Sequence, residues 1–252
     1  MGNMVDDRAA TVYSWLAAAA TSGNEPITNE VLCRTACECL AVDGASVTLM
    51  ARPAGTGSDD TRSLLQDPVA TTGIASARLE ELHLTVGEGP STEAFTRAAP
   101  VLIPDLHEAA SRWPGFVPAA LADDVSAIFA FPLHVRAWWP GVLTAHRASP
   151  GSLSPQALAD AGSFAELATH LLRTDPVGAL AGEPRRSDEP TGSRDEVHQA
   201  VGMVAVQLGV GMREALSRLR SHAFTHDAPL SEVSRAVITD RLHLPGNSDP
   251  EE

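Results

Sequence analysis

The chain has 252 residues, 44% of them hydrophobic and 4% aromatic, with a formal charge of −14, a length that suits one ordinary domain plus a smaller one with apolar content enough for a core. All 18 basic residues are arginine, which excludes chemistry that needs a lysine: P-loop phosphate binding, Schiff-base catalysis, kinase-type phosphate contacts and the lysine of a phosphorylatable receiver. No apolar run reaches the roughly 18–20 residues of a membrane span, so no membrane segment is expected.

Residues 8–21 and 26–42 read as helices. The stretch "VYSWLAAAATSG" ends in small residues as a signal peptide does, but Asp6, Asp7 and Arg8 precede it where a secretory signal carries net positive charge. An amphipathic helix in a cytoplasmic protein is the expectation. Cys33, Cys37 and Cys39 crowd into the second helix, a pattern that makes no disulfide framework and reads as buried structural thiols. Cys39 points away from the face that Cys33 and Cys37 share, so no metal is expected there.

Strands are expected at 45–50, 65–72, 100–103, 125–135 and 141–147, separated by the turn-rich loop "ARPAGTGSDD" and by helices at 74–82, 91–98 and near 113–121. A helix from 154 to 173 follows, with Ser154 placed as its N-cap and Pro155 in its first turn. Strands joined partly by hairpin-length turns and partly by helices predict an α+β domain with an antiparallel sheet, closing near residue 173. The next segment holds Pro176, Pro184 and Pro190 among glycines and charges, which forbids a continuous helix. It reads as a linker over 174–192.

Periodicity then returns. Val197, Val201, Val204 and Leu208 form one helical stripe, Ala215, Leu216, Leu219 and Ala223 a second, and Leu230, Val233 and Val237 a third. Three short helices over 193–244 can bury these stripes only against one another, so a small bundle is expected, ahead of an acidic tail over 245–252. Residues 1–192 hold 12 Arg against 23 Asp and Glu, whereas 193–244 hold six against six. The C-terminal unit is therefore neutral on an acidic chain, a mild pointer to an anionic partner.

"RDEVHQAVGMVAVQLGVGMREALSRLRSHAF" followed by "APLSEVSRAVI" resembles the ANTAR domain, a three-helix RNA-binding module of bacterial transcription antiterminators. The resemblance rests on Ala200 and Gly202, on Ala215, Leu219, Arg220 and Ala223, and on Leu230 with Val233. It implies RNA stem-loops as partner and Ala200, Val201, Gly202, Arg213, Arg220 and Ser234 as the RNA-binding set. Val201 stands where the family often has lysine, and Ser234 where it often has alanine. On the residues themselves, small Ala200 and Gly202 would let a base approach closely, and Arg213 and Arg220 would share a face toward phosphates. The same residues also fit close helix packing and a solvated arginine face.

Upstream, "LTVGEGPSTEAF", "PVLIPDL", "RWPGF" and "FAFPLHV" with "GVLTAHR" resemble the GAF domain, a ligand-sensing α+β module, over 27–173 after an N-terminal helical segment at 1–26. The resemblance implies an unknown small-molecule or protein signal, with Gly87, Ser91, Trp113 and Phe129 as candidate pocket residues. Ser91 stands where relatives often carry cysteine, and the signature of cyclic-nucleotide GAF domains is missing. On its own chemistry "GEGP" reads as a helix-capping turn.

No nucleophile elbow, carboxylate pair or cofactor motif is visible, so neither enzyme activity nor a cofactor is expected. His222 and His226 have zinc-like spacing but stand at a helix end, where histidine meets the dipole favourably. The composite expectation is an actinobacterial-type GAF and ANTAR regulator of transcription termination and antitermination, with dimerisation implied because one copy would bind weakly. Two other readings stand beside it: a protein-interaction or dimerisation bundle that binds no RNA, and a helix-turn-helix binding DNA, which the sparse arginines of the third helix disfavour.

Overall fold

A computed structural model describes residues 2–51, 65–135, 138–174, 193–226 and 228–245. The loop at 52–60, the side chains of Trp138 and Trp139, the proline-bearing linker at 175–192 and the tail at 246–252 lie outside the described residues. Helices α1 (Gly2–Gly23) and α2 (Asn29–Leu40) lead into strands β1 (Gly44–Ala51) and β2 (Leu65–Thr71), then α3 (Gly73–Val86), α4 (Pro90–Arg97), β3 (Val101–Ile103), a 3-10 turn (Leu106–Ala109), α5 (Val117–Ala122), β4 (Ala127–Val135), β5 (Trp138–Arg147) and α6 (Pro155–Thr174). Three further helices follow: α7 (Ser193–Leu208), α8 (Met212–Thr225) and α9 (Leu230–Ile238).

The strands form one antiparallel sheet of five, in the order β2-β1-β5-β4-β3. Alternation along the strands gives the sheet two differently covered faces. One face, carrying Val47, Phe129, Phe131, Leu133, Leu143 and Ala145, packs with Leu16, Leu32 and Phe164 of α1, α2 and α6. The other, carrying Met50, Ile128, Ala130 and Val142, packs with Leu79, Ala94, Phe116 and Val117 around α3, α4 and α5. Each fully buried leucine or phenylalanine contributes about 1.5–3 kcal/mol. The central strand pair sits unusually close. A Cβ on Gly141 would lie 1.9 Å from the Thr48 carbonyl oxygen, so β5 reaches β1 only with glycine at that position.

Arginines close the layers polar end to polar end. Arg8 Nη1 meets Asp160 Oδ1 at 2.5 Å, tying α1 to α6. Arg147 donates from Nε to the Ala41 carbonyl at 2.8 Å and from Nη2 to the Leu40 carbonyl at 3.0 Å, satisfying the last acceptors of α2.

The α+β domain, its antiparallel sheet and the C-terminal bundle are as expected, and the differences are local. β4 begins at Ala127, because Asp124 takes a positive φ of 60° and turns the chain just before it. α3 runs one turn beyond residue 82, to Val86, where Gly87 ends it in the left-handed conformation at φ 69°. Of the cysteines, Cys33 is buried but Cys37 and Cys39 are only half-buried, so the expectation of three buried thiols is corrected. No helix among the described residues is long and apolar enough to cross a membrane.

Gly141→Val is expected to lower stability by about 2–3 kcal/mol through overpacking against the Thr48 carbonyl. Gly162 of α6, where an added Cβ meets nothing within 4 Å, is the control: Gly162→Ala is expected to raise stability by about 0.5–1 kcal/mol. Denaturant titration of the two variants checks both signs.

Candidate functional site

Polar side chains collect out of solvent in two places. The first lies between the sheet and α3–α4. Alternation along β1 sends Ser46 and Thr48 to this face, and the β1–β5 register sets Ser46 beside Thr144, with His146 two residues further on. Helical spacing on α3 presents Ser76, Glu80 and His83 on one stripe. Glu80, 2% exposed, accepts hydrogen bonds from Ser46 Oγ and Thr48 Oγ1, both at 2.6 Å and one on each carboxylate oxygen. Burial pushes its carboxyl above the usual range, and the two hydroxyls offset this only in part.

Around this carboxyl, Ser76 Oγ meets His146 Nε2 at 2.9 Å and Thr72 Oγ1 at 3.2 Å. Ser91 Oγ meets Thr144 Oγ1 at 2.9 Å, and Gln66 Nε2 donates to Thr92 Oγ1 at 3.4 Å. Gly44 makes room for the serine–histidine pair, because a Cβ there would stand 2.2 Å from His146 Nε2. His83 is completely buried, its ring 4.4 Å from that of Phe116. Burial holds its pKa down to about 3, opposed only in part by the Leu79 carbonyl one turn earlier. Neither ring nitrogen of His83 makes a well-formed hydrogen bond, and the same is true of His146 Nδ1 and Gln66 Oε1. Buried polar atoms are normally paired. His146 and Gln66 in this cluster, and His83 one turn beyond Glu80 against Phe116, therefore carry hydrogen-bonding capacity that neighbouring residues leave unused.

The candidate pocket residues divide. Ser91 belongs to this cluster. Gly87 caps α3, donating its N–H to the His83 carbonyl at 3.0 Å, while Gly89, at φ 128°, starts α4 with Pro90 in its first turn. "GEGP" is thus a double capping turn. Trp113 is buried on the α3–α4 side, with the Arg112 guanidinium 4.6 Å from its ring centroid. Phe129 is corrected: its odd position on β4 sends it to the opposite face, among α1, α2 and α6, where it cannot line a pocket with Ser91.

The serine–histidine pair was not legible in the sequence, since its members stand 70 residues apart. It lacks the third group of a nucleophilic triad, because His146 Nδ1 meets no carboxylate.

The second place is the bundle and its contact with α3. Val197, Ala200, Val201 and Val204 of α7, Ala215, Leu216, Leu219 and Ala223 of α8, and Leu230, Val233 and Val237 of α9 form one core, and Leu84 of α3 packs into it. Arg220 is 6% exposed and donates from Nε to the Leu84 carbonyl at 2.8 Å. In return, α3 supplies acceptors to α9. Leu230 N–H reaches Thr85 Oγ1 at 3.3 Å, and Ser231 N–H reaches Glu81 Oε1 at 2.9 Å.

The expected outward surface of small residues and guanidinium groups is therefore corrected. Ala200 is fully buried and Val201 nearly so, because the buried stripe of α7 is wide enough to take in 197, 200, 201 and 204, and small Ala200 lets the helices close. Ser234 is fully buried with an unpartnered Oγ. Arg213 is exposed at the start of α8 while Arg220 lies under α3, so the two do not present one open face. Gly202 is half-buried, with open space where a Cβ would stand. His222 and His226 stack at the end of α8, ring centroids 3.9 Å apart.

Residues 191–238, which span α7 to α9, match the family of the ANTAR domain. None of the curated proteins compared with the chain matches it. Among solved structures, the GAF domain of an Acinetobacter phosphoenolpyruvate-protein phosphotransferase is 16% identical, covering 73% of this chain and 100% of its own, at a TM-score of 0.46. The GAF domain of the corresponding Coxiella burnetii protein is 17% identical over 68% of this chain and 98% of its own, at 0.48. A type II free methionine-R-sulfoxide reductase from Thermoplasma acidophilum is 12% identical over 64% and 96%, at 0.39.

Folding raises the pKa of the Glu80 carboxyl, so the folded state favours its protonated form. Its cost to stability is least below the ordinary carboxylate range and grows as pH climbs toward the raised value. Glu80→Gln keeps the shape without the charge. The variant is expected to match the parent at acid pH and to melt about 2–4 °C higher near neutrality, measured as thermal unfolding across a pH series.

Proposed function

We propose that the chain is a signal-responsive regulator whose C-terminal bundle binds RNA hairpins to control transcription termination and antitermination, with the N-terminal α+β domain as its sensor. The observation that carries the reading is the ANTAR match, which falls on three helices that share one core and span almost all of the matched residues. A GAF-type sensor is supported by the five-stranded antiparallel sheet between helical layers. It is supported also by the buried polar cluster, where His83, His146 and Gln66 offer donors and acceptors to a small polar ligand.

A neutral bundle without lysine recognises RNA chiefly through unpaired bases, with a few guanidinium groups placing the backbone. Arg213, exposed beside the turn between α7 and α8, and Gly202, which leaves room for close approach, serve that role in the docked arrangement described here. Binding by two copies would gain from effective concentration, so a homodimer is part of the proposal, as is a cytoplasmic location. A second reading makes the bundle a protein-interaction module. It is favoured by the exposure of Met203, Val206, Met212 and Phe224, with Val206 86% exposed.

Crosslinking followed by sequencing of bound cellular RNA is expected to enrich paired hairpins, and a titration is expected to favour hairpins over duplex DNA. With so few cations, the affinity should fall with salt at a shallow log–log slope of about −2. Arg213→Glu should weaken hairpin binding about tenfold with folding intact, as befits a charged contact of 1–2 kcal/mol. No hairpin affinity, together with self-association lost on replacing Val206 by a charged residue, would favour the interaction module.

A further inference from the structure

The bundle is seated on α3 by hydrogen bonds that exchange helix ends. The C-terminal turn of α3 leaves carbonyls without partners inside the helix, and Arg220 of α8 takes the one at Leu84. The first amides of α9 follow Pro229, which offers no side-chain cap, and they are taken by Thr85 and Glu81 of α3. Leu84 completes the seat by entering the bundle core. Glu81, Leu84 and Thr85 form the stripe of α3 next to Ser76 and Glu80, which meet the sheet at His146, Ser46 and Thr48.

We infer that this contact is an autoinhibitory latch, in which α3 holds the bundle closed and sequesters Arg220 until a change at the polar cluster shifts α3. The inference rests on the RNA-binding reading for what the released surface does. In the docked form Arg220 is withheld from solvent, its Nε donating to the Leu84 carbonyl of α3. Among the described residues the seat comprises the hydrogen bonds of Arg220, Leu230 and Ser231 and the packing of Leu84, contacts suited to units that part and rejoin. Since Glu80 and His83 lie on the same rigid helix, a ligand that draws on their side chains displaces Glu81, Leu84 and Thr85 as well.

The test uses the full chain and the variant Glu81→Ala/Thr85→Val, which removes both acceptors offered to α9 and leaves the polar cluster untouched; circular dichroism confirms the fold. Thr85→Val alone is the milder substitute if the pair does not fold. Arginine labelling with phenylglyoxal, read by peptide mass spectrometry, is expected to modify Arg213 readily and Arg220 slowly in the parent, with Arg220 becoming reactive in the variant. Hairpin RNA should then bind the variant about tenfold more tightly, as expected when a minor competent state becomes the major one. Equal reactivity of the two arginines in the parent overturns the latch, as does an Arg220 that stays protected in the variant, or unchanged affinity once it is released. Absence of hairpin binding by both proteins counts against the RNA reading, and the labelling then judges the latch by itself.

Discussion

The constraint on which the molecule turns is that one helix, α3, is obliged to satisfy two partners at once. Its inner stripe completes the polar cluster against β1 and β5, and its neighbouring stripe receives the bundle. A packed helix moves as a body, so neither contact can be altered without consequence for the other. The energetic scale permits motion. Hydrogen bonds of the kind made by Arg220, Leu230 and Ser231 are worth about 0.5–1.5 kcal/mol each net, somewhat more for charged partners, and burial of one leucine about 1.5–3 kcal/mol. Against these stands the entropy of fixing the bundle on the sheet domain.

The fold uses one capping device twice, and the comparison separates structure from regulation. Arg147 closes the C-terminus of α2 from within the sheet, where strand pairing fixes its position. Arg220 closes the C-terminus of α3 from a helix 136 residues away in sequence. The chemistry is the same, a guanidinium on orphaned carbonyls. The difference is that Arg147 has nowhere else to go, whereas Arg220 belongs to a unit with a core of its own. The polar cluster carries a matching asymmetry. A buried carboxyl with two hydroxyls, a neutral histidine without well-formed hydrogen bonds and a buried serine–histidine pair are costly to keep in a core that Leu or Phe would fill at a gain.

What the sequence disclosed was whatever depends on periodicity. The three stripes of the bundle, the strands, the turn at "GEGP" and the Ser154–Pro155 start of α6 all follow from spacing or cap chemistry within a few residues, and all stand where spacing put them. What it concealed depends on which face of an element meets which neighbour. Phe129 and Ile128 are adjacent and equally apolar, yet they lie on opposite sides of the sheet. Ala200 lies beside the stripe of valines and looks free in a helical projection, but two neighbouring helices bury it. Arg220 is of a residue type usually found at the surface, yet it is buried and donates to a carbonyl of α3, 136 residues away in sequence. The proline-bearing connection gave no basis for expecting that docking.

The charge balance gives the burial of Arg220 its weight. In a strongly basic nucleic-acid binder, hiding one guanidinium subtracts one phosphate contact from many and leaves affinity largely intact. Residues 193–244 hold six arginines against six acidic residues, with no lysine in reserve. Among the described residues, Arg218 pairs with Glu214 and Arg235 with Glu196, carboxylates of the bundle itself. In a unit so balanced, burial of Arg220 takes one cation of six out of solvent, and on the latch proposed above that is a larger fraction than it would be on a basic surface. On the proposed latch, scarcity of positive charge is what lets a single side chain, parked on a helix end, act as a switch.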